Sequence, residues 1–307
     1  MKKREIVCCS STKKIILTLV AIGITLFFVI PLIFNLSSNG FGNVAVISID
    51  GVITADGISY LGSSTISSKS TVSFLKEAEK SSSIKAIIIM INSPGGSAVA
   101  SDEISAQIKK MNKPVIAVIR ETGASGGYWI ASATDYIIAN RMSLTGSIGV
   151  TSSYLEFSGL LKEYGVGYEQ LTAGQYKDMG TPFRKLTEEE KKILQSKLDK
   201  IHSYFIQEIA QNRNLSESKV KALATGEVYL GVEALNYGLV DELGDQTNAE
   251  LYLKNKLNIT EIEYVNYAPK KSLVESMLGV FSDYCFRIGE GIGSVLITNN
   301  NNNLIWV

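Results

Sequence analysis

Residues 86–129 read AIIIMINSPGGSAVASDEISAQIKKMNKPVIAVIRETGASGGYW. The two apolar runs, 86–91 and 114–119, are too uniformly hydrophobic for half-exposed edges and read as strands buried on both faces. Between them, residues 98–111 have helical character, and the connection 92–113 is long enough to bring the second strand back parallel to the first. A second crossover, 120–135, starts a helix near Ser125 and leads to a strand at 136–139. Upstream, 44–49 (VAVISI) is a short apolar run closed by Asp50-Gly51, a strand followed by a turn. Residues 70–80 have helical spacing through Val72, Leu75 and Ala78. Strand, crossover helix, strand, crossover helix implies right-handed βαβ units: an α/β fold with a largely parallel sheet and helices packed on it.

Downstream, Thr187 followed by Glu190 forms a capping box that opens a long helix. Ile193, Leu194, Leu198, Ile201, Phe205 and Ile209 make its apolar stripe. Shorter helices are expected at 216–225 and 231–237, and a last strand at 261–267. In the tail, Leu273, Met277, Val280, Phe281, Tyr284 and Ile288 recur at helical spacing. Glu275, Asp283, Arg287 and Glu290 are interspersed and forbid a membrane span, so the stripe lies on a bilayer, a neighbouring subunit or its own domain. Residues 299–303 are an asparagine-rich, low-complexity stretch.

The N-terminus reads differently. Residues 15–36, IILTLVAIGITLFFVIPLIFNL, contain no charged side chain, and about 20 such residues span a ~30 Å hydrocarbon layer. Lys2, Lys3, Arg4, Lys13 and Lys14 precede the run against a single acid, Glu5, which keeps that end cytoplasmic and sends the rest of the chain outside. The run is longer than a signal-peptide core, and no small-x-small cleavage site follows it. The expected organisation is therefore a basic N-terminus (1–14), a transmembrane anchor (15–36), a linker (37–43), a catalytic domain (44–268) and a tail (269–307). With 30 basic and 30 acidic residues the formal net charge is zero, which removes any general electrostatic case for a nucleic-acid partner. Cys8, Cys9 and Cys285 have no metal-ligand spacing and form no disulfide framework, although Cys8 and Cys9 stand where lipidation occurs. No metal or cofactor is indicated.

Two glycine-rich turns carry the chemistry. Asn92-Ser93-Pro94-Gly95-Gly96-Ser97 lies between a buried strand and a helix, where adjacent glycines allow close approach and helix N-terminal amides face a ligand. The run lacks the lysine and spacing of a phosphate loop, so its amides suit an oxyanion hole better than a nucleotide. Gly123-Ala124-Ser125-Gly126-Gly127 stands in the same position after the next strand, with Ser125 flanked by residues too small to obstruct a substrate. A serine hydroxyl needs a base. The one histidine, His202, falls at the margin of the long helix's apolar stripe, a position that suits packing. A lysine serves as base when burial favours its neutral form, and Lys177 sits in an irregular stretch, Thr172 to Phe183 (TAGQYKDMGTPF).

NSPGGS, GASGGYW, SLTGSIGV, AGQYKDMGTPF and GEVYLGVEALNYGLVDELG occur in this order over residues 44–268. Together they resemble the signal peptide peptidase family of Ser-Lys serine peptidases in its short, single-repeat form, whose core is similar to Clp protease and crotonase folds. The resemblance implies Ser125 as nucleophile, Lys177 as general base and Ser147 as the hydroxyl that orients the lysine. It implies an oxyanion hole from the amides of Gly95 and Gly126, with Gly96 able to replace Gly95. It also implies a homo-oligomer whose serine and lysine come from adjacent subunits, membrane attachment, and remnant signal peptides as substrates, cut after apolar or small side chains. Three other readings stay open on the residues. One is an α/β-hydrolase using G-x-S-x-G at 123–127 with Asp178 and His202, against which residues 120–124 set a looser approach than a nucleophile elbow needs. The others are a crotonase-like acyl-CoA enzyme and a non-catalytic membrane scaffold.

Overall fold

A computed structural model describes residues 17–19, 22, 42–58 and 64–268. Every element named below falls within the unit Met1–Tyr267. The apolar run 15–36 lies outside the described residues except for 17–19 and 22, as do the tail stripe and the asparagine-rich stretch. Among the described residues no helix is long and apolar enough to cross a membrane.

The expected strands form: β1 (Val44–Asp50), β4 (Ala86–Ser93), β5 (Val115–Ala124), β6 (Tyr136–Ala139) and β10 (Tyr264–Tyr267). So do the helices α1 (Ser68–Lys80), α2 (Ala98–Ile108), α3 (Gly126–Ser132), α5 (Glu188–Asn212), α6 (Glu217–Leu223) and α7 (Gly231–Tyr237). The structure adds β2 (Val52–Thr54), β3 (Thr65–Ser67), β7 (Leu144–Gly146), α4 (Ser158–Glu163), β8 (Val228–Leu230), β9 (Glu242–Leu243) and α8 (Gln246–Leu257). The main sheet runs β10-β1-β4-β5-β6-β9. Every neighbouring pair along that path is parallel. Among the described strands, β8 alone runs antiparallel, against β7.

Alternation along the strands splits the core between two faces. Ala45, Ile47, Ile87, Ile89, Ala117 and Ile119 join residues of α1, α2, α3 and α5 on one face. Val46, Ile88, Ile116, Val118 and Ile138 pack on the other under Ala249 and Leu253 of α8. Helix α8 escapes a search for apolar periodicity because Leu251 points outward, 55% exposed, and blurs the stripe.

β5 is longer than its apolar run suggests. Ile116–Ile119 pair with β6, whereas Thr122–Ala124 pair with β7. Against β4 the register slips where β5 changes neighbour, between Ile91↔Ile119 and Ser93↔Gly123. Arg120 and Glu121 sit at that switch with exposed side chains, so a polar interruption that reads as a strand end is a strand changing partners.

The Thr187–Glu190 capping box opens α5 as expected. Of the apolar stripe on α5, Phe205 and Ile209 are buried, while Ile193, Leu194, Leu198 and Ile201 are half-buried. The far end of α5 is tied down by a half-buried, bidentate ion pair. Arg213 grips both carboxylate oxygens of Asp241 at 2.6 and 2.9 Å, and Asp241 also accepts the amide of Ile137 on β6 at 2.8 Å. Truncating Arg213 removes both of its hydrogen bonds from a half-buried carboxylate and leaves it the Ile137 amide. Arg213→Ala is expected to lower the unfolding free energy by about 2 kcal/mol in urea titrations. A loss within the ~0.5 kcal/mol typical of a neutral surface change would contradict this role.

Candidate active site

The first glycine turn is fixed from below. Ile53 donates its amide to Gly95 O at 2.9 Å and accepts that of Ser97 at 2.8 Å, which locks 95–97 onto β2. Gly95 has φ of 102°, and a Cβ there would lie 2.8 Å from both Gly126 N and Ser125 Cβ. A Cβ on Gly96 would collide with the carbonyl of Ile53. Neither position tolerates a side chain, because the turn must press against the residues that follow β5.

The two amides of this turn are not equivalent. Gly95 N–H donates to Ser93 Oγ at 3.1 Å, and that hydroxyl donates onward to Gly51 O at 2.6 Å. Gly96 N–H has no acceptor among the described residues, and neither does Gly126 N–H. The two free amides are close: a Cβ on Gly126 would lie 3.4 Å from Gly96 N. The two amides of this region left free to donate are therefore those of Gly96 and Gly126.

Ser125 follows Ala124, the last residue of β5, and precedes Gly126, the first of α3. The loose approach expected over residues 120–124 is absent, because hydrogen bonding to β7 carries the strand to the serine. Ser125 adopts φ 53° and ψ −122°, a conformation that costs a non-glycine residue about 1–3 kcal/mol. Its surroundings enforce it. Ser125 N–H donates to Gly146 O at 2.9 Å, and its carbonyl accepts Trp129 N–H at 2.9 Å. Helix α3 is wholly buried, with Tyr128 Oη donating to Leu239 O at 2.8 Å and Trp129 stacked on Phe205 at 4.6 Å. The turn leaves Ser125 Oγ without a partner among the described residues.

Ser125 opens onto a cavity of about 370 Å³ that Ser147, Val150, Leu198, Asp199 and His202 also line. Ser147 has φ 49°, donates its amide to Glu227 O at 2.8 Å and reaches Gly226 O with its hydroxyl at 3.4 Å. His202 is half-buried, with Nε2 3.3 Å from Ile148 O. No group of His, Cys, Asp and Glu among the described residues is arranged to hold a metal ion.

Lys177 is elsewhere. It is exposed, lies in a run of turns over residues 174–180, and does not line the cavity at Ser125. One chain brings together Ser125, Ser147, Gly96 and Gly126, but not the lysine. The Lys177 segment is nonetheless anchored. Arg184 pairs with Asp178 at 2.7 Å and with Glu190 at 2.6 Å, and Glu190 also accepts Thr187 N–H at 2.8 Å. The neighbouring sequence carries exposed apolar residues, with Leu155 71%, Tyr164 74% and Leu171 100% exposed. No sequence pattern separates such an arm from an ordinary loop.

Hydrogen bonds from Arg184, then from Thr187, hold the Glu190 carboxyl at about 2, down from 4.5. A depressed carboxylate stabilises the fold fully above its unfolded value, and that contribution fades as pH falls from 4.5 to about 2. Arg184→Ala should therefore speed limited proteolysis within residues 172–182 at neutral pH. The parent chain should become equally susceptible only on acidification below about 4.5. Unchanged cutting in Arg184→Ala would refute the anchoring.

Comparison with known proteins agrees with this geometry. The family described as Peptidase family S49 matches residues 107–260, half of the chain, and Clp protease matches residues 51–150, which hold both glycine turns and the central parallel strands β4, β5 and β6. A Methanocaldococcus jannaschii protein described as a protease is 34% identical over 73% of this chain and 72% of its own length. An Enterococcus faecium protein described as a signal peptide peptidase is 36% identical over 73% of this chain and 66% of its own. A chloroplastic serine protease of Arabidopsis thaliana is 32% identical over 71% of this chain, which spans 33% of the plant protein. The chain belongs to peptidase family S49 and is a serine peptidase akin to the signal peptide peptidases.

Proposed function

We propose that this chain is a membrane-anchored endopeptidase in which Ser125 attacks the peptide bond and Lys177 of a second copy serves as its base. The observation that carries the reading is a division. The cavity at Ser125 contains no lysine among its lining residues, while Lys177 stands exposed on an arm studded with apolar side chains. Apolar exposure of that kind marks a surface that another chain covers.

In the assembled site, Lys177 Nζ takes the proton from Ser125 Oγ as the hydroxyl oxygen attacks the scissile carbonyl. The oxyanion accepts hydrogen bonds from Gly96 N–H and Gly126 N–H. Gly95 contributes close approach rather than an amide, because Ser93 already accepts from it. Ser147 Oγ accepts from the ammonium and orients it, and the ammonium returns its proton to the departing amine. Water then hydrolyses the acyl-serine by the same path. Signal peptides, the substrates named in the description of the Enterococcus relative, fit an enzyme held at the outer face of a bilayer. The uncharged run 15–36 supplies that anchor, and Leu17, Leu19 and Ile22 are exposed as lipid-facing side chains would be.

His202 lines the same cavity, yet two contacts argue against a histidine base. A carbonyl only accepts, so the Nε2 facing Ile148 O carries the ring's proton and is not the basic nitrogen. Asp178, the acid a triad would need, is engaged by Arg184 instead.

Ser125→Ala and Lys177→Ala should each lose at least about 10³-fold in peptide hydrolysis, and mixing the two inactive proteins should restore about a quarter of the sites. Parent activity should rise toward alkaline pH, because a lysine base acts as the neutral amine. Loss of activity in His202→Ala with Lys177→Ala still active would overturn the assignment. For the anchor, the full chain should stay in the membrane pellet after alkaline carbonate extraction; release into the supernatant would exclude a spanning segment.

A further inference from the structure

Gly95 has no side chain to pack, so hydrogen bonds must fix the peptide planes on either side of it. Two act from opposite sides. Its carbonyl accepts Ile53 N–H of β2 at 2.9 Å, and its own N–H donates to Ser93 Oγ at 3.1 Å. No described peptide bond is cis, and in a trans unit the carbonyl and the next N–H point in opposite directions. Drawing Gly95 O onto β2 therefore turns Gly96 N–H away from β2. It leaves that nitrogen 3.4 Å from where a Cβ on Gly126 would lie.

Ser93 is itself held in place. It is wholly buried, and its hydroxyl proton goes to Gly51 O at 2.6 Å, so toward Gly95 N–H the oxygen only accepts. Gly51 is fixed in turn at φ 91°, with its N–H on Asn92 O at 3.0 Å. Helix α3 backs Ser93 from the other side: a Cβ on Gly127 would lie 3.0 Å from Ser93 O and 3.4 Å from Ser93 Cβ. The hydroxyl has one place to stand, and Gly95 N–H is tied to it.

We propose that Ser93 is a positioning residue of the oxyanion site: by occupying Gly95 N–H it fixes the glycine turn so that Gly96 N–H is presented beside Gly126 N–H. The inference rests on the proposed reading of Ser125 as nucleophile and of those two amides as oxyanion donors, and adds the group that sets their aim. Without the hydroxyl, Gly95 is held from one side only, and its wide range of φ lets the turn swing off the developing charge. A misaimed donor slows turnover and spares binding, because the oxyanion exists only beyond the ground state.

The test compares full-length parent, Ser93→Ala, Ser93→Cys and Ser125→Ala chains on a fluorogenic peptide amide ending in alanine. Inhibition by the matching peptide aldehyde is measured alongside, because its adduct with a serine puts an oxygen where the oxyanion forms. In Ser93→Ala, kcat should fall roughly tenfold, less than the ~10²–10³-fold of losing a donor outright. KM should stay unchanged, and aldehyde inhibition should weaken by the same factor as kcat. Ser93→Cys keeps a weak acceptor, so it should fall between the two, and it carries the test if Ser93→Ala does not fold. Unchanged kcat in a folded variant, or kcat and KM shifting together, would reduce Ser93 to a structural contact and overturn the inference. Faster turnover in Ser93→Ala would make Gly95 N–H the oxyanion donor and Ser93 its competitor, overturning it equally. Parent-like hydrolysis in Ser125→Ala would instead sink the nucleophile assignment beneath it.

Discussion

At Ser125 the backbone passes from the last paired residue of β5 into α3 with no intervening loop, held at a positive φ that serine does not choose. The cost is met by what surrounds it: the bond to Gly146 on β7, the stack of Trp129 on Phe205, and a wholly buried α3. Two glycines let this junction exist. Gly95 presses against Ser125 itself, and Gly126 sits so close to Ser101 that a side chain there would strike its hydroxyl. The sheet order, the partner switch along β5 and the small sheet that pins Gly96 all serve to hold one hydroxyl beside two free amides.

Much of this is legible in the amino-acid sequence, for identifiable reasons. β1, β4 and β6 are short apolar runs buried on both faces, and such runs announce themselves. The capping box of Thr187 and Glu190 is local chemistry and forms as read. The failures are non-local. Arg120 and Glu121 interrupt the apolar run of β5, but pairing with β7 carries the strand through them to Ala124. α8 hides because Leu251 faces solvent. Gly95 and Gly96 are indistinguishable as letters; a hydroxyl two residues back, Ser93, occupies the amide of the first and leaves the second free.

On the proposed reading, Lys177 marks the limit of any single chain as a description of the site. Its segment is fastened through Asp178, Arg184 and Glu190 to the start of α5, so it is a built feature and not a loose loop. Yet it presents the lysine to solvent, away from the cavity that holds Ser125 and Ser147. If the base stands on one copy and the nucleophile on another, as proposed, assembly is the switch for activity, because an isolated chain then lacks half of the acid–base chemistry.

That division is most directly tested by cross-linking. Ser147→Cys in one chain and Lys177→Cys in another, each with Cys8, Cys9 and Cys285 replaced by serine, should form a disulfide-linked heterodimer when the two proteins are mixed under mild oxidant. Failure of that pair to cross-link, together with an internal disulfide in a single chain carrying both substitutions, would show that one chain completes its own site.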